Sequence, residues 1–448
     1  SPLDRYKDAA EVIRHLSRAL QIPLPVDTAT TRESFLQAAQ FIGREQELDK
    51  LNGALSRAID GTGALWFVAG ESGIGKSRLL DEVRIQALTQ GALVVRGQAA
   101  ENGAAYIVWR DPLKRLLLNV EVRDAEASIF LDFIPDIAHL IGRPVAPMPI
   151  VEPEEAINRL IVAVNGILRR QMRPVVILLE DVHWLTRESF LLLEAVQVLA
   201  ERLPLLVVAS FRSDEVTPGL EALLDPARTL HLRRLSRDEM TQLTTSMIGE
   251  QGTQATVIDL LERETEGNIF FIVEVVRALA EEAGQLEHIG SVTLPVTLFV
   301  RGVQQVVERR LARLAPQHFP LLGLAAVMGR VIDRAALLQT AFSAGLDEWL
   351  FACERSNILE AREESWQFTH DKIREGVLST LETDVRTLLH RRAAEAMEAA
   401  YPQMKAYAGA LAYHWHAAGD ADREQSARVT AGRYAYHCLL YTSDAADE

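Results

Sequence analysis

The chain has 448 residues, too many for one compact core, so two to four domains are expected. With 48% hydrophobic and 24% charged residues it has the texture of globular protein, and a formal net charge of −15 argues against a protein that mainly coats nucleic acid. Cys353 and Cys438 stand far apart without metal-ligand spacing, so no disulfide framework is expected and a reducing cytoplasm is the simplest setting. The most hydrophobic region, Phe190 to Phe211, is interrupted by Glu194, Gln197, Glu201, Arg202 and Pro204, so no membrane span is expected. No signal peptide is seen at the start, and the opening Ser-Pro without Met suggests a piece of a longer protein.

In chain order, Asp8–Leu20 has helical periodicity closed by Pro23 and Pro25, and Asp27–Ser34 reads as a linker. Strand and helix signals then alternate. Ala64–Ala69 and Ala92–Arg96 predict strands, with a helix over Arg78–Thr89 between them. Glu155–Arg170 predicts an amphipathic helix, with Ile157, Leu160, Ile161, Val164 and Ile167 along one side. Val175–Leu179 and Leu205–Ala209 are continuous apolar runs suited to strands covered on both faces, separated by a helix over Phe190–Leu199. This alternation predicts a parallel sheet wrapped by helices. Beyond Ser236 the patterns turn helical, over Ser236–Ile248, Ala255–Glu264 and Ile269–Ala283. Leu294–Thr383 predicts helices with a short strand near Ser365–Phe368, and Arg386–Tyr436 predicts two or three Ala-rich helices. The tail from Cys438 to Glu448 resembles translated sequencing-adapter read-through, so the natural chain is expected to continue differently after about His437.

The strongest chemical signal is Gly70–Ser77, GESGIGKS, between a predicted strand and a predicted helix. Glycines let backbone N–H groups curl around phosphate oxygens, and the following helix points its positive end at them. Gly70, Gly73, Ile74, Gly75, Lys76, Ser77 and Arg78 form the candidate nucleotide-binding set. Lys76 is expected to reach the β- and γ-phosphates of ATP, and Ser77 to ligate Mg²⁺. A second half of the site is expected where Val175–Leu179 runs into Glu180 and Asp181, one holding Mg²⁺ and the other orienting the attacking water; the sequence leaves open which does which. Arg212, at the end of the Leu205–Ala209 strand, either senses the γ-phosphate or pairs with Asp214 or Glu215. His183 and Trp184 either border the nucleotide or shape the loop.

Taken together, Phe41-Ile-Gly-Arg-Glu45, the P-loop, Glu180-Asp-Val-His-Trp184 and Ser210-Phe-Arg212 resemble the STAND class of signal-transduction ATPases, related to AAA+ and origin-recognition-type ATPases. Gly267-Asn-Ile-Phe-Phe271 through Glu274 resembles that class's helical lid. Leu294-Pro-Val, Val307–Leu314 and Phe368-Thr-His370-Asp371 resemble its winged helix, and Leu389–Glu395 with Ala412–His416 resembles the start of its tetratricopeptide-like array. The resemblance implies an α/β P-loop core over 41–232, a helical lid over 233–290, a winged helix over 291–383 and helical repeats over 384–437. It also implies an adenine contact from the segment containing Ile42 and Arg44, and a β-phosphate contact from His370 in an ADP-bound closed state. Ile269 stands where that class usually has Pro, which leaves the detailed base contact open.

Ser1–Leu16 resembles the last helix of a serine/threonine protein kinase domain, with Arg5 as its ion-pairing arginine, so 1–25 is taken as a kinase remnant and 26–40 as a linker. The expectation is a slowly hydrolysing cytoplasmic switch for an attached output, most simply a kinase. A signalling protein or small-molecule inducer would act on the helical repeats, and the ATP form would expose a surface for output or for nucleotide-dependent assembly into a homo-oligomer, between which the sequence does not choose. A helix-turn-helix regulator, a nucleotide cyclase and a non-hydrolysing scaffold are alternative settings. DNA binding through Arg301, Arg309, Arg310 and Arg313 is a further alternative, although nucleic acid is not the expected partner of this stretch.

Overall fold

The computed structural model describes residues 41–101, 103, 106–131, 134–147, 153–283, 303–340, 345–362, 365–402 and 407–439. The kinase-like segment, the linker, Leu294-Pro-Val and the adapter-like tail beyond Leu439 lie outside these residues. The first elements are α1 (Glu45–Ile59), β1 (Ala64–Gly70), α2 (Lys76–Thr89), β2 (Leu93–Gln98), α3 (Ile107–Leu117), α4 (Asp124–Phe130) and α5 (Pro153–Arg169). There follow β3 (Val175–Glu180), α6 (Arg187–Ala200), β4 (Leu205–Arg212), β5 (Thr229–His231), α7 (Arg237–Ile248), α8 (Ala255–Thr265) and α9 (Ile269–Ala283). The remainder comprises α10 (Val303–Ala312), α11 (Phe319–Met328), α12 (Leu346–Arg355), β6 (Leu359–Arg362), β7 (Ser365–Phe368), α13 (Asp371–Ser379), α14 (Thr383–Ala400), α15 (Ala408–Ala417) and α16 (Ala421–Leu439).

Two compact units divide these elements. Gln46–Leu232 and Val303–Glu448 contribute the larger one, and Arg233–Gly302 with the chain up to Glu45 the smaller. In the larger unit five strands form one sheet in the order β2-β3-β4-β1-β5, every pair parallel. All six residues of β3 are buried, as expected of a strand with helices on both faces. Register brings four strand ends to one edge: Gln98 pairs with Glu180, Leu179 with Ala209, and Gly70 with Arg212. Leu79, Leu80 and Val83 of α2 are buried, as are Leu192, Leu193 and Val196 of α6. Helix α6 starts cleanly because the Thr186 hydroxyl accepts the Ser189 N–H.

In the smaller unit α7, α8 and α9 enclose Leu243, Val257, Leu261, Ile272 and Val276, with Ile42 packed against them. Helix α7 opens with a capping box in which Ser236 accepts the Glu239 N–H and the Glu239 carboxylate accepts the Ser236 N–H.

The C-terminal part of the larger unit is helical apart from the antiparallel hairpin β6–β7, in register Leu359↔Phe368. The strand expected at Ser365–Phe368 is thus present, and its partner β6 is an element that sequence pattern did not mark. The Ala-rich end forms α14, α15 and α16, in the three-helix version of the expectation. Cys353 is buried without a disulfide, and burial pushes its thiol up to about 12. Among the described residues no helix is long and apolar enough to cross a membrane.

His390 of α14 and His414 of α15 meet in the core with their Nδ1 atoms 3.0 Å apart. Burial, with help from Arg386 and Arg374, lowers His390 to about 4, while burial, His390 and Arg374 lower His414 to about 3. The pair is therefore neutral in the fold, while the unfolded chain binds protons below about pH 6.5, so stability falls as pH drops through that value. The melting temperature should decline from pH 7 to pH 5, and a His390→Phe/His414→Phe variant should show a shallower decline. An equal slope in both proteins would contradict this account.

Candidate functional site

The P-loop leaves β1 at Gly70 and enters α2 at Lys76. Gly73 (φ 81°) and Gly75 (φ 101°) adopt left-handed backbone, which an L side chain disfavours by about 1–2 kcal/mol, so these two positions require glycine. Ile74 between them is buried and anchors the loop. Lys76 Nζ donates to the carbonyls of Gly70 (2.8 Å) and Glu71 (2.9 Å). Burial chiefly, with Arg212 and Arg330, lowers Lys76 to about 8 against the opposing pull of Asp181 and Asp371. Arg78 points outward and pairs with Glu82 at 2.9 Å.

Glu180 and Asp181 end the fully buried strand β3, and both are themselves buried. The Ser77 hydroxyl donates to Glu180 Oε2, and Arg96 Nε donates to Glu180 Oε1 at 2.6 Å. Arg96 also binds Asp81 of α2 at 2.7 Å, and Arg362 of β6 stands 3.8 Å from Glu180. Burial alone would raise Glu180, but the guanidinium groups of Arg96, Arg362 and Arg330 and the Ser77 hydroxyl overcome it and hold the acid at about 2. Glu180 is thus firmly ionised.

Asp181 differs. It has left-handed backbone (φ 57°), which turns the chain off the strand into the Val182–Trp184 turn. Its Oδ2 accepts from Gln98 Nε2 at 2.9 Å and from Arg330 at 3.0 Å. The same Arg330 nitrogen lies 3.5 Å from Asp371. Burial raises Asp181; Arg330 opposes this, while Asp371 and Glu180 add to it, and the net direction is upward.

Arg212 lies at the Gly70 edge and pairs with Glu215 (2.6 Å), Asp214 (3.5 Å) and Glu375 (4.0 Å). The pairing alternative is therefore present, at the sheet edge that the sensing alternative also requires. The Arg212 N–H approaches His183 Nδ1 at 3.4 Å, and burial with Arg212 and Lys76 lowers His183 to about 3, so this histidine braces the loop in its neutral form. His370 caps α13, its Nδ1 accepting the Lys372 N–H at 3.1 Å, and burial, with Arg330, Lys76 and Arg310, lowers it to about 3. In the smaller unit the Arg44 guanidinium donates to the carbonyls of Gly43 and Arg233. Arg310, one of the arginines considered for DNA, is buried and donates to Asn357 O and Thr369 Oγ1, which removes it from any solvent-facing basic patch.

Sequence reasoning missed Arg96, Gln98 and Arg330. Arg96 and Gln98 carried a faint signal, polar side chains ending an apolar strand; Arg330 carried none.

The oxygens of Ser77, Glu180 and Asp181 are hard donors of the kind Mg²⁺ prefers, and Ser77 and Glu180 already adjoin. Among the described residues no cluster of three or more His, Cys, Asp or Glu could hold a metal, so a Mg²⁺ ion held here would draw its other ligands from phosphate and water.

Residues 40–208 match the family model of the AAA ATPase domain. An uncharacterized protein of Rhizobium meliloti (strain 1021) is 26% identical over 434 residues, and the match takes in 88% of this chain and 40% of that protein. The chain therefore spans well under half of this curated relative. A STAND protein with a tetratricopeptide repeat sensor from Pyrococcus horikoshii superimposes with a TM-score of 0.50 at 14% identity, over 87% of this chain and 50% of that one. A Walker-type ATPase of Pyrococcus abyssi superimposes with a TM-score of 0.34 at 14% identity, over 75% and 96% of the two chains. The first of these structural likenesses is one of fold.

Arg96→Met leaves Glu180 buried without its principal cation, a change expected to cost about 3–5 kcal/mol. Adding Glu180→Gln should restore most of that loss in denaturant unfolding; an unrestored double variant would contradict the pairing.

Proposed function

We propose that this AAA-type ATPase domain, with the helices that follow it, is a nucleotide-operated signalling switch that binds ATP and ADP and hydrolyses ATP slowly. One observation carries the reading: Lys76 and Ser77 open a helix at the carboxyl edge of a parallel sheet, and the Ser77 hydroxyl already touches the buried, ionised Glu180.

In this reading the P-loop N–H groups and Lys76 hold the β- and γ-phosphates. Ser77 and Glu180 would hold Mg²⁺, which would supply positive charge to neutralise the phosphates. Glu180, held ionised by the cations around it, suits the metal, whereas the upward shift of Asp181 suits it to the proton of the attacking water. On this reading Glu180 takes the metal and Asp181 the water, the two roles that the sequence left open. Arg212 would read the γ-phosphate by exchanging an acidic partner for it.

Residues 291–383 are read as a winged helix that closes over ADP through His370, and residues 384–437 as the first tetratricopeptide-like repeats, where a protein or small-molecule inducer would act. The fold shared with the Pyrococcus horikoshii protein, itself a STAND protein with such a sensor, supports this assignment. The proposed output is an attached serine/threonine kinase, on the resemblance of Ser1–Leu16. Exchange of ADP for ATP would then favour an open form able to self-assemble, because a ligand shifts a conformational equilibrium by its difference in affinity for the two forms.

Acid extraction of the purified chain should release ADP, and the Lys76→Ala variant should release none. Glu180→Gln should lower phosphate release from Mg-ATP by about 100-fold or more, in line with the loss of one preorganised electrostatic group. Phosphate release unchanged by Glu180→Gln would remove Glu180 from the site.

A further inference from the structure

We propose that Arg330 sets the nucleotide preference of the site, favouring ADP over Mg-ATP by holding Asp181 in an ion pair. The inference rests on the reading of the P-loop as a nucleotide site and names a regulating residue within it.

Arg330 is supplied by the C-terminal part of the larger unit. It follows α11, and its own carbonyl accepts the Phe368 N–H at 3.0 Å. Next to it Val331 bridges Gln367, and the Ile332 N–H donates to Trp366 O at 2.7 Å. The Arg330 segment is thereby fixed beside β7 by one bridge and its flanking backbone hydrogen bonds. Its position depends on the hairpin and not on the ATPase sheet. From there the guanidinium reaches 3.0 Å from Asp181 Oδ2 and 3.5 Å from Asp371 Oδ2 while 8% exposed. A guanidinium stays charged at any pH a protein meets, so this hold does not relax by deprotonation.

The two acids of β3 are therefore held from different directions. Glu180 is hydrogen-bonded by Arg96 and Ser77 of the ATPase core, with Arg362 of the hairpin farther off at 3.8 Å. Asp181 is held by Gln98 of the core and by Arg330 from beyond it, both on the same carboxylate oxygen. ADP needs the P-loop and Lys76. Mg-ATP in its reactive arrangement also needs Asp181 free to receive the attacking water. Arg330 occupies one oxygen of that carboxylate, so the triphosphate with its attacking water must share or displace the contact while the diphosphate leaves it untouched, which is the differential affinity a switch requires. Asp371 competes with Asp181 for the same guanidinium nitrogen, so its charge tempers the grip.

The test uses the full chain and isothermal titration with ADP and with Mg²⁺ plus a β,γ-imido ATP analogue. Arg330→Gln should lower the ratio of analogue Kd to ADP Kd by about tenfold or more, equivalent to about 1.4 kcal/mol of differential binding. The change should come from the analogue. Asp371→Asn removes the competing charge with little change of shape and should move the ratio the opposite way; it carries the test alone if Arg330→Gln does not fold. General loosening of the fold would weaken both nucleotides together and could not produce opposed shifts. An unmoved ratio, shifts of the same sign, or weaker analogue binding in Arg330→Gln would overturn the proposal. Weaker analogue binding is the mark of a guanidinium that touches the γ-phosphate itself. If the wild type binds neither nucleotide, the functional reading fails and takes this proposal with it. If both bind through Lys76 and the ratio stays fixed, the role of Arg330 alone is lost.

Discussion

Two adjacent carboxylates, Glu180 and Asp181, end a strand with no exposed residue, and neither can remain charged there without a cation brought to it. Arg96 answers this constraint from β2 for Glu180, and Arg330 answers it from beside β7 for Asp181. Much else follows from where those cations stand. Helix α2 is tied to the same network through Asp81 and Ser77, so the helix that presents Lys76 is set in place by the acid it faces. The hairpin joins the network through Arg362. Because Arg330 is fixed by backbone pairing next to β7, the C-terminal helices and the sheet edge share one electrostatic centre within the larger unit.

The parallel sheet sets the geometry of that centre. Side-by-side register puts Gln98, Glu180, Arg212 and Gly70 at one end of four neighbouring strands, the edge from which the P-loop and the Asp181 turn leave the sheet. Asp181 reaches its place only through left-handed backbone, a conformation that Asp tolerates better than most residues. The difference between the two acids is thus set by their surroundings. Glu180 has Arg96, Arg362, a share of Arg330 and a hydroxyl in its favour; Asp181 has Gln98 and an Arg330 shared with a third acid.

The features legible in the sequence were those whose cause is local. Continuous apolar runs announced β3 and β4, glycine spacing announced the P-loop, and helical periodicity placed α5 and the helices of the smaller unit to within a few residues. Ser236 and Glu239 start α7 as a capping pair three residues apart. What was not legible depended on distant partners. Strand β6, Leu359-Glu-Ala-Arg, has no β-branched residue, and its alternation runs for only four residues, too short to mark a strand without β7 beside it. Arg330 follows a glycine at a helix end like many surface arginines; only the hairpin's pairing brings it to Asp181, 149 positions earlier in the chain. Arg212 carried both of its readings in the sequence, and the structure gives its acidic partners at the very edge where a phosphate would lie.

The central claim is that an adenine nucleotide is held by Lys76 at this edge. Titration of the purified chain with a fluorescent ADP derivative, followed by displacement with unlabelled ADP and Mg-ATP, tests it most directly. The account predicts saturable one-to-one binding, displaced by both nucleotides and abolished in Lys76→Ala. Binding undiminished by Lys76→Ala, or no binding by the wild type, would contradict it.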